Sequence, residues 1–96
     1  MRLSSFTGYP VAYFVYVLAN PEGKIYIGRT NDLSRRLAQH NDVGFRGTLH
    51  TKRHPGPWRL LYSESLSTRN ATMRRERELK SDKGREWIRN TYLSGC

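Results

Sequence analysis

The chain has 96 residues, with 17 Lys and Arg against 8 Asp and Glu, for a net charge of +9. That length favours one domain with a modest core. A single cysteine, Cys96, excludes an internal disulfide framework or thiolate metal site and fits a reducing, cytoplasmic compartment.

Thirteen of the 17 cationic residues are Arg, whose planar fork suits phosphate oxygens. The charge therefore points to a polyanionic partner, with nucleic acid ahead of a membrane surface. Residues 1–10 show no period and read as a flexible lead-in, leaving 11–96 as a single domain. The apolar run from Val11 to Ala19 follows Arg2 and resembles a short signal segment. It alternates like a strand, however, and is too short to span a bilayer as a helix.

Tyr13 to Leu18 is rich in aromatic and β-branched residues and predicts a strand. Asn20-Pro21-Glu22-Gly23 is a turn signal, and Lys24 to Gly28 completes a β-hairpin. Asn31 or Asp32 caps a helix running to Asn41. Leu33 and Leu37 mark its apolar stripe, and Arg36 and His40 lie within about 60° of Leu33. Asp42 to Pro57, broken by Gly44, Gly47, Pro55 and Gly56, predicts a long basic loop. Loops of that length in small domains are commonly functional.

Trp58 to Ser63 is the third strand. Ser67 or Thr68 caps a helix to Lys80, and Gly84 to Leu93 predicts a last short helix with Trp87, Ile88 and Leu93 facing in. The order is β-β-α-β-α-α. It implies an α+β fold with a small three-stranded antiparallel sheet flanked by helices.

Two tyrosine-bearing runs stand out, Phe14-Val15-Tyr16 and Tyr26-Ile27-Gly28. Arg36 follows Tyr26 by ten positions, His40 follows Arg36 by four, and Glu76 sits inside an arginine run. Two phenols, a guanidinium, an imidazole and a carboxylate can form a small phosphodiester-cutting site. Each also has a plainer reading. Glu76 can pair with Lys80 across one helical turn. Tyr16, and more readily Tyr13, can be strand core. Arg29 and Arg36 can be solvated. His40, His50 and His54 invite zinc, but two lie on the broken loop and no cysteine supports them. That loop instead suits contacts to backbone phosphates through Arg46, Lys52 and Arg53. Trp58 and Tyr62 read as core.

These residues resemble a GIY-YIG nuclease domain of the small stand-alone bacterial type, over roughly Ala12 to Leu93. The second half-motif matches literally as Tyr26-Ile27-Gly28. The first, Phe14-Val15-Tyr16, keeps only its tyrosine, and the stretch from Met73 to Lys80 is similar to the family's second helix.

The resemblance implies a metal-dependent endonuclease. Glu76 would hold one divalent ion, Mg²⁺ or Mn²⁺, with substrate phosphate and water completing the shell. Tyr26 would activate or orient the attacking water, with Tyr16 as its partner. Forming a phenolate from an ordinary phenol at pH 7 costs about 4 kcal/mol, so nearby cations must help or His40 must take the proton. Arg36 would bind the scissile phosphate, Arg29 would assist there, and Gly28 would allow close backbone approach at the strand end. DNA is the expected substrate and RNA the alternative. Either monomer or homodimer is compatible. The competing expectations are a nucleic-acid-binding module with weak or no catalysis, and a protein-assembly subunit.

Overall fold

Alternation along the first strand sends Val15, Val17 and Ala19 to one face and Tyr16 and Leu18 to the other. All five are buried, at 0–1% exposed, so both faces of this strand must be covered. That requirement organises the whole domain. In the computed structural model, which describes residues 12–42 and 56–93, the strand is central. The elements are β1 (Tyr13–Ala19), β2 (Ile25–Thr30), α1 (Leu33–Asn41), β3 (Arg59–Leu66), α2 (Arg69–Lys80) and α3 (Asp82–Ile88), followed by a π-helical turn, Arg89–Leu93. The sheet order is β2-β1-β3, with both pairings antiparallel. The α+β architecture predicted above is the one observed.

The β1–β2 hairpin closes at Asn20, whose backbone N–H donates to the Lys24 carbonyl. Its Oδ1 also accepts from the backbone N–H groups of Glu22 and Lys24. Gly23 adopts φ 82°, a left-handed conformation that other residues reach only at a cost.

One face of the sheet packs Val15, Val17, Ala19, Ile25 and Ile27 against Leu79 of α2 and Ile88 of α3. Burying each of the Val, Leu and Ile side chains contributes roughly 1.5–3 kcal/mol, which makes this the main core. On the other face Tyr16, Leu18 and Trp58 gather with Tyr26 and with Leu33 and Leu37 of α1. The two leucines are only half-buried. The most deeply buried side chain of α1 is a polar one, His40, at 5% exposed.

Ser81 separates α2 from α3. Its N–H donates to the Glu78 carbonyl, and its side chain accepts from the Gly84 N–H. The last helix therefore starts at Asp82, not Gly84. Ile88 faces in as expected, but Trp87 does not, being 40% exposed. Its ring packs edge-on against Tyr62 and Tyr92 instead. Trp58 is core, whereas Tyr62 is half-buried and donates its hydroxyl to Glu64. Among the described residues, no helix is long and apolar enough to cross a membrane.

Candidate active site

The ladder between β1 and β2 places Tyr16 opposite Gly28 and Leu18 opposite Tyr26. Paired residues share a face, so both phenols project toward α1, with ring centroids 6.1 Å apart. Gly28 makes this possible. A Cβ at that position would lie 2.8 Å from Tyr16 Oη and 2.9 Å from Tyr26 Cε2. Close backbone approach at a strand end was the expected reason for this glycine. The contact observed is with the two phenols, which converge over the space a side chain would occupy.

Asp32 caps α1 by accepting from the Arg35 N–H, and the helix then carries Arg36 and His40 to the same point. His40 Nε2 lies 2.9 Å from Tyr16 Oη. Arg36 Nε donates to that oxygen at 3.4 Å, and its Nη1 donates to Gln39 Oε1 at 2.9 Å. Tyr26 joins the cluster through hydrogen bonds with Tyr16 and Arg36, and its ring centroid is 4.6 Å from that of His40.

Burial pushes the Tyr16 phenol up to about 12, and the Arg36 hydrogen bond only partly offsets this. Ionising it at pH 7 would cost about 7 kcal/mol, so Tyr16 is a neutral O–H. Burial works against the Arg36 cation, but its hydrogen bonds to Tyr16 and Tyr26 outweigh that and raise its pKa. Tyr16 is 1% exposed, whereas Tyr26 is half-buried and is the phenol that solvent reaches.

Glu76 comes up on the opposite face of the sheet, on α2. Its Oε1 accepts from Arg29 Nε at 2.8 Å, and Lys80 Nζ lies 3.1 Å from its Oε2. The plainer Glu76–Lys80 pairing is therefore present, with Arg29 added. The five residues singled out in the sequence fall into two groups, one on each side of the edge strand β2. Consecutive residues of that strand, Gly28 and Arg29, join them.

Residues 12–92 match the family model described as the GIY-YIG catalytic domain. The chain belongs to the GIY-YIG family. This is a nuclease family, which makes nucleic acid its substrate class, and its members generally use divalent metal ions.

Small GIY-YIG relatives are found in archaea and bacteria. The UPF0213 protein of Natronomonas pharaonis is 36% identical over 69 residues, covering 72% of this chain and 78% of that one. The UPF0213 protein of Streptococcus agalactiae is 38% identical over 66 residues, covering 69% and 72%. The solution NMR structure of a UPF0213 protein from Bacillus halodurans is 29% identical, with a TM-score of 0.48 and coverage of 88% and 99%.

For a GIY-YIG domain the candidate metal ligand is Glu76. No group of three or more His, Cys, Asp or Glu gathers among the described residues, so this carboxylate stands as a single hard-oxygen donor. One carboxylate with phosphate and water oxygens fits a Mg²⁺-type shell. Both of its oxygens face cationic side chains, so an incoming ion must displace Arg29 or Lys80. A lone carboxylate with two displaceable cationic partners is chemically suited to such an ion.

Two positioning residues escaped the sequence reading. Gln39 holds Arg36, and its only signal was the i,i+3 spacing. Asn41 clamps Trp58, its Nδ2 donating to the Trp58 carbonyl and its Oδ1 accepting the Trp58 N–H. This ties the end of α1 to the start of β3. Tyr13, expected in the core, is half-buried and lines a surface cavity with Arg29. The basic-loop positions Arg46, His50, Lys52, Arg53 and His54 lie outside the described residues.

Proposed function

We propose that this protein is an endonuclease that hydrolyses phosphodiester bonds in DNA, assisted by one divalent ion, Mg²⁺ or Mn²⁺, at Glu76. The observation that carries this reading is the convergence of Tyr16, Tyr26, Arg36 and His40 over Gly28. When bound, the ion supplies positive charge to a phosphate oxygen. Arg36, charged at every physiological pH, grips the scissile phosphate and offsets charge developing on it.

Tyr26, the accessible phenol, orients the attacking water. A phenolate is not needed. As the water oxygen bonds to phosphorus, the ester P–O bond breaks and the departing alkoxide takes a proton from bulk water, while Tyr26 accepts the attacking water's proton and passes its own to Tyr16. Tyr16 in turn passes its proton to His40 Nε2. The net transfer is from water to the His40 imidazole. Tyr16 is then a conduit, consistent with its strong hold on a proton.

The test is cleavage of single-stranded, duplex and branched DNA, and of RNA, in Mg²⁺ and in Mn²⁺. Wild type should cut at least one substrate. Tyr26→Phe, Arg36→Ala, His40→Ala and Glu76→Ala should each lose about 10²-fold or more while keeping the wild-type circular dichroism spectrum. Full activity in Glu76→Ala would remove the metal role, and full activity in His40→Ala would remove the relay.

One observation favours a second reading. The ion pairs of Glu76 with Arg29 and Lys80 suit a nucleic-acid-binding module that cuts slowly or not at all. Salt-dependent binding without cleavage in any metal would establish that reading.

A further inference from the structure

A cavity of about 330 Å³ opens where β1 begins, β2 ends and α2 starts, lined by Tyr13, Arg29, Thr30, Asn31, Arg69 and Thr72. Its volume lies in the range of small-ligand pockets, roughly 300–1,000 Å³. Its lining combines two guanidinium groups, a phenol ring, a side-chain amide and two hydroxyl-bearing residues, with no carboxylate. That set suits a phosphate, a flat ring and a base edge together.

Tyr13 shares the α2 face of β1 with Val15 and Val17, and it is half-buried, leaving part of its side chain to a ligand. Arg29 is engaged through Nε by Glu76, and its two Nη groups have no partner among the described residues. Arg69 opens α2, where the twelve-residue helix adds the positive end of its dipole. Thr72 and Glu76 are one turn apart on α2, about 6 Å along its axis, so the cavity adjoins the Arg29–Glu76 pair.

We infer that this cavity is a nucleotide subsite. It holds the nucleotide next to the scissile bond, binding its phosphate with Arg69 and the Nη groups of Arg29 and packing its base on Tyr13. This rests on the nuclease reading above and adds where the strand runs. It passes from the phenol cluster over the edge of β2 to the start of α2. The amide of Asn31 is the group placed to discriminate among bases.

The experiment has two independent arms. In the first, deoxythymidine 5′-monophosphate, thymidine and inorganic phosphate are each titrated into ¹⁵N-labelled protein without metal. The monophosphate should shift the backbone amides of Thr30, Asn31 and Thr72, more tightly than either fragment. Arg69→Ala should weaken it about tenfold, and Tyr13→Ala should abolish its advantage over phosphate. No shift at these amides at millimolar concentration, or equal binding of phosphate alone, would overturn the subsite.

In the second arm, Arg69→Ala should raise KM for a short oligonucleotide about tenfold with kcat within twofold. An unchanged KM in an enzyme that cuts would overturn the subsite and leave the nuclease reading standing. A protein that binds the nucleotide here but never cuts would support the subsite and defeat the nuclease reading.

Discussion

Gly28 and Tyr16 face each other across the β1–β2 ladder, and the Cβ that Gly28 lacks would sit 2.8 Å from the Tyr16 hydroxyl. The glycine of the Tyr26-Ile27-Gly28 motif thus provides the space in which the two phenols meet. Gly28→Ala must push one ring aside. Overpacking of this kind costs roughly 1–3 kcal/mol, and urea denaturation should show a loss in that range. In a Tyr16→Ala background the same substitution should cost less than in wild type, because one of the two obstructing rings is gone and Tyr26 can shift into its space. Equal costs in the two backgrounds would separate Gly28 from Tyr16.

Alkaline stability should report on Tyr16. Its phenol has a folded pKa of about 12 against about 10 when unfolded. The folded state therefore holds this proton more tightly. The resulting stability is fully present below pH 10 and is lost as pH rises through 12. The loss is of order 3 kcal/mol. Tyr62 is also raised, by burial and by its bond to Glu64, and adds in the same direction. Urea midpoints between pH 9 and pH 11.5 should therefore fall less steeply in Tyr16→Phe than in wild type. Identical slopes would show that Tyr16 does not carry the raised pKa.

Metal affinity without nucleic acid should be limited by the ion pairs at Glu76. The side chain is 17% exposed and paired to two cations. Partly exposed pairs contribute about 0.2–1 kcal/mol each. Arg29→Ala or Lys80→Ala should therefore tighten Mn²⁺ binding by about two- to fivefold in the absence of DNA, measured by electron paramagnetic resonance of the free ion. Glu76→Gln should abolish the site. Unaltered affinity in both cation variants would place the ion elsewhere.

Salt dependence should count the phosphates engaged by the basic loop. If Arg46, Lys52 and Arg53 each neutralise one phosphate, replacing all three by Gln lowers the slope of log K against log salt by about 2 on single strands and nearly 3 on duplex. Fluorescence anisotropy with a labelled oligonucleotide measures both slopes. A slope equal to wild type would remove these residues from the interface.

Local chemistry carried the sequence reading a long way. Turn residues at Asn20 to Gly23, caps at Asp32 and Thr68 and the alternation of β1 act over a few positions. Each left its mark in the order of residues. The strands and helices therefore fell close to where they were expected. What failed was facing. Trp87 reads as core by its size, yet it lies on the outer side of α3, where Tyr62 and Tyr92 partly cover it. Tyr13 reads as core by its place in a strand, yet it borders a cavity at the sheet's end. Both outcomes depend on which elements pack alongside, and spacing within a segment does not encode that.

Tyr16, Tyr26, Gly28, Arg36 and Glu76 together carried the resemblance to the GIY-YIG family, which the family model over residues 12–92 bears out. Only the tertiary structure divided them. Strand parity and the antiparallel register bring the phenols, Arg36 and His40 together on the α1 face. The same parity turns Arg29 to the α2 face, where it meets Glu76. Register is a relation between strands, and so is the burial that keeps Tyr16 protonated. Neither can be read along a single segment, since both arise only when the strands pair and α1 covers Tyr16.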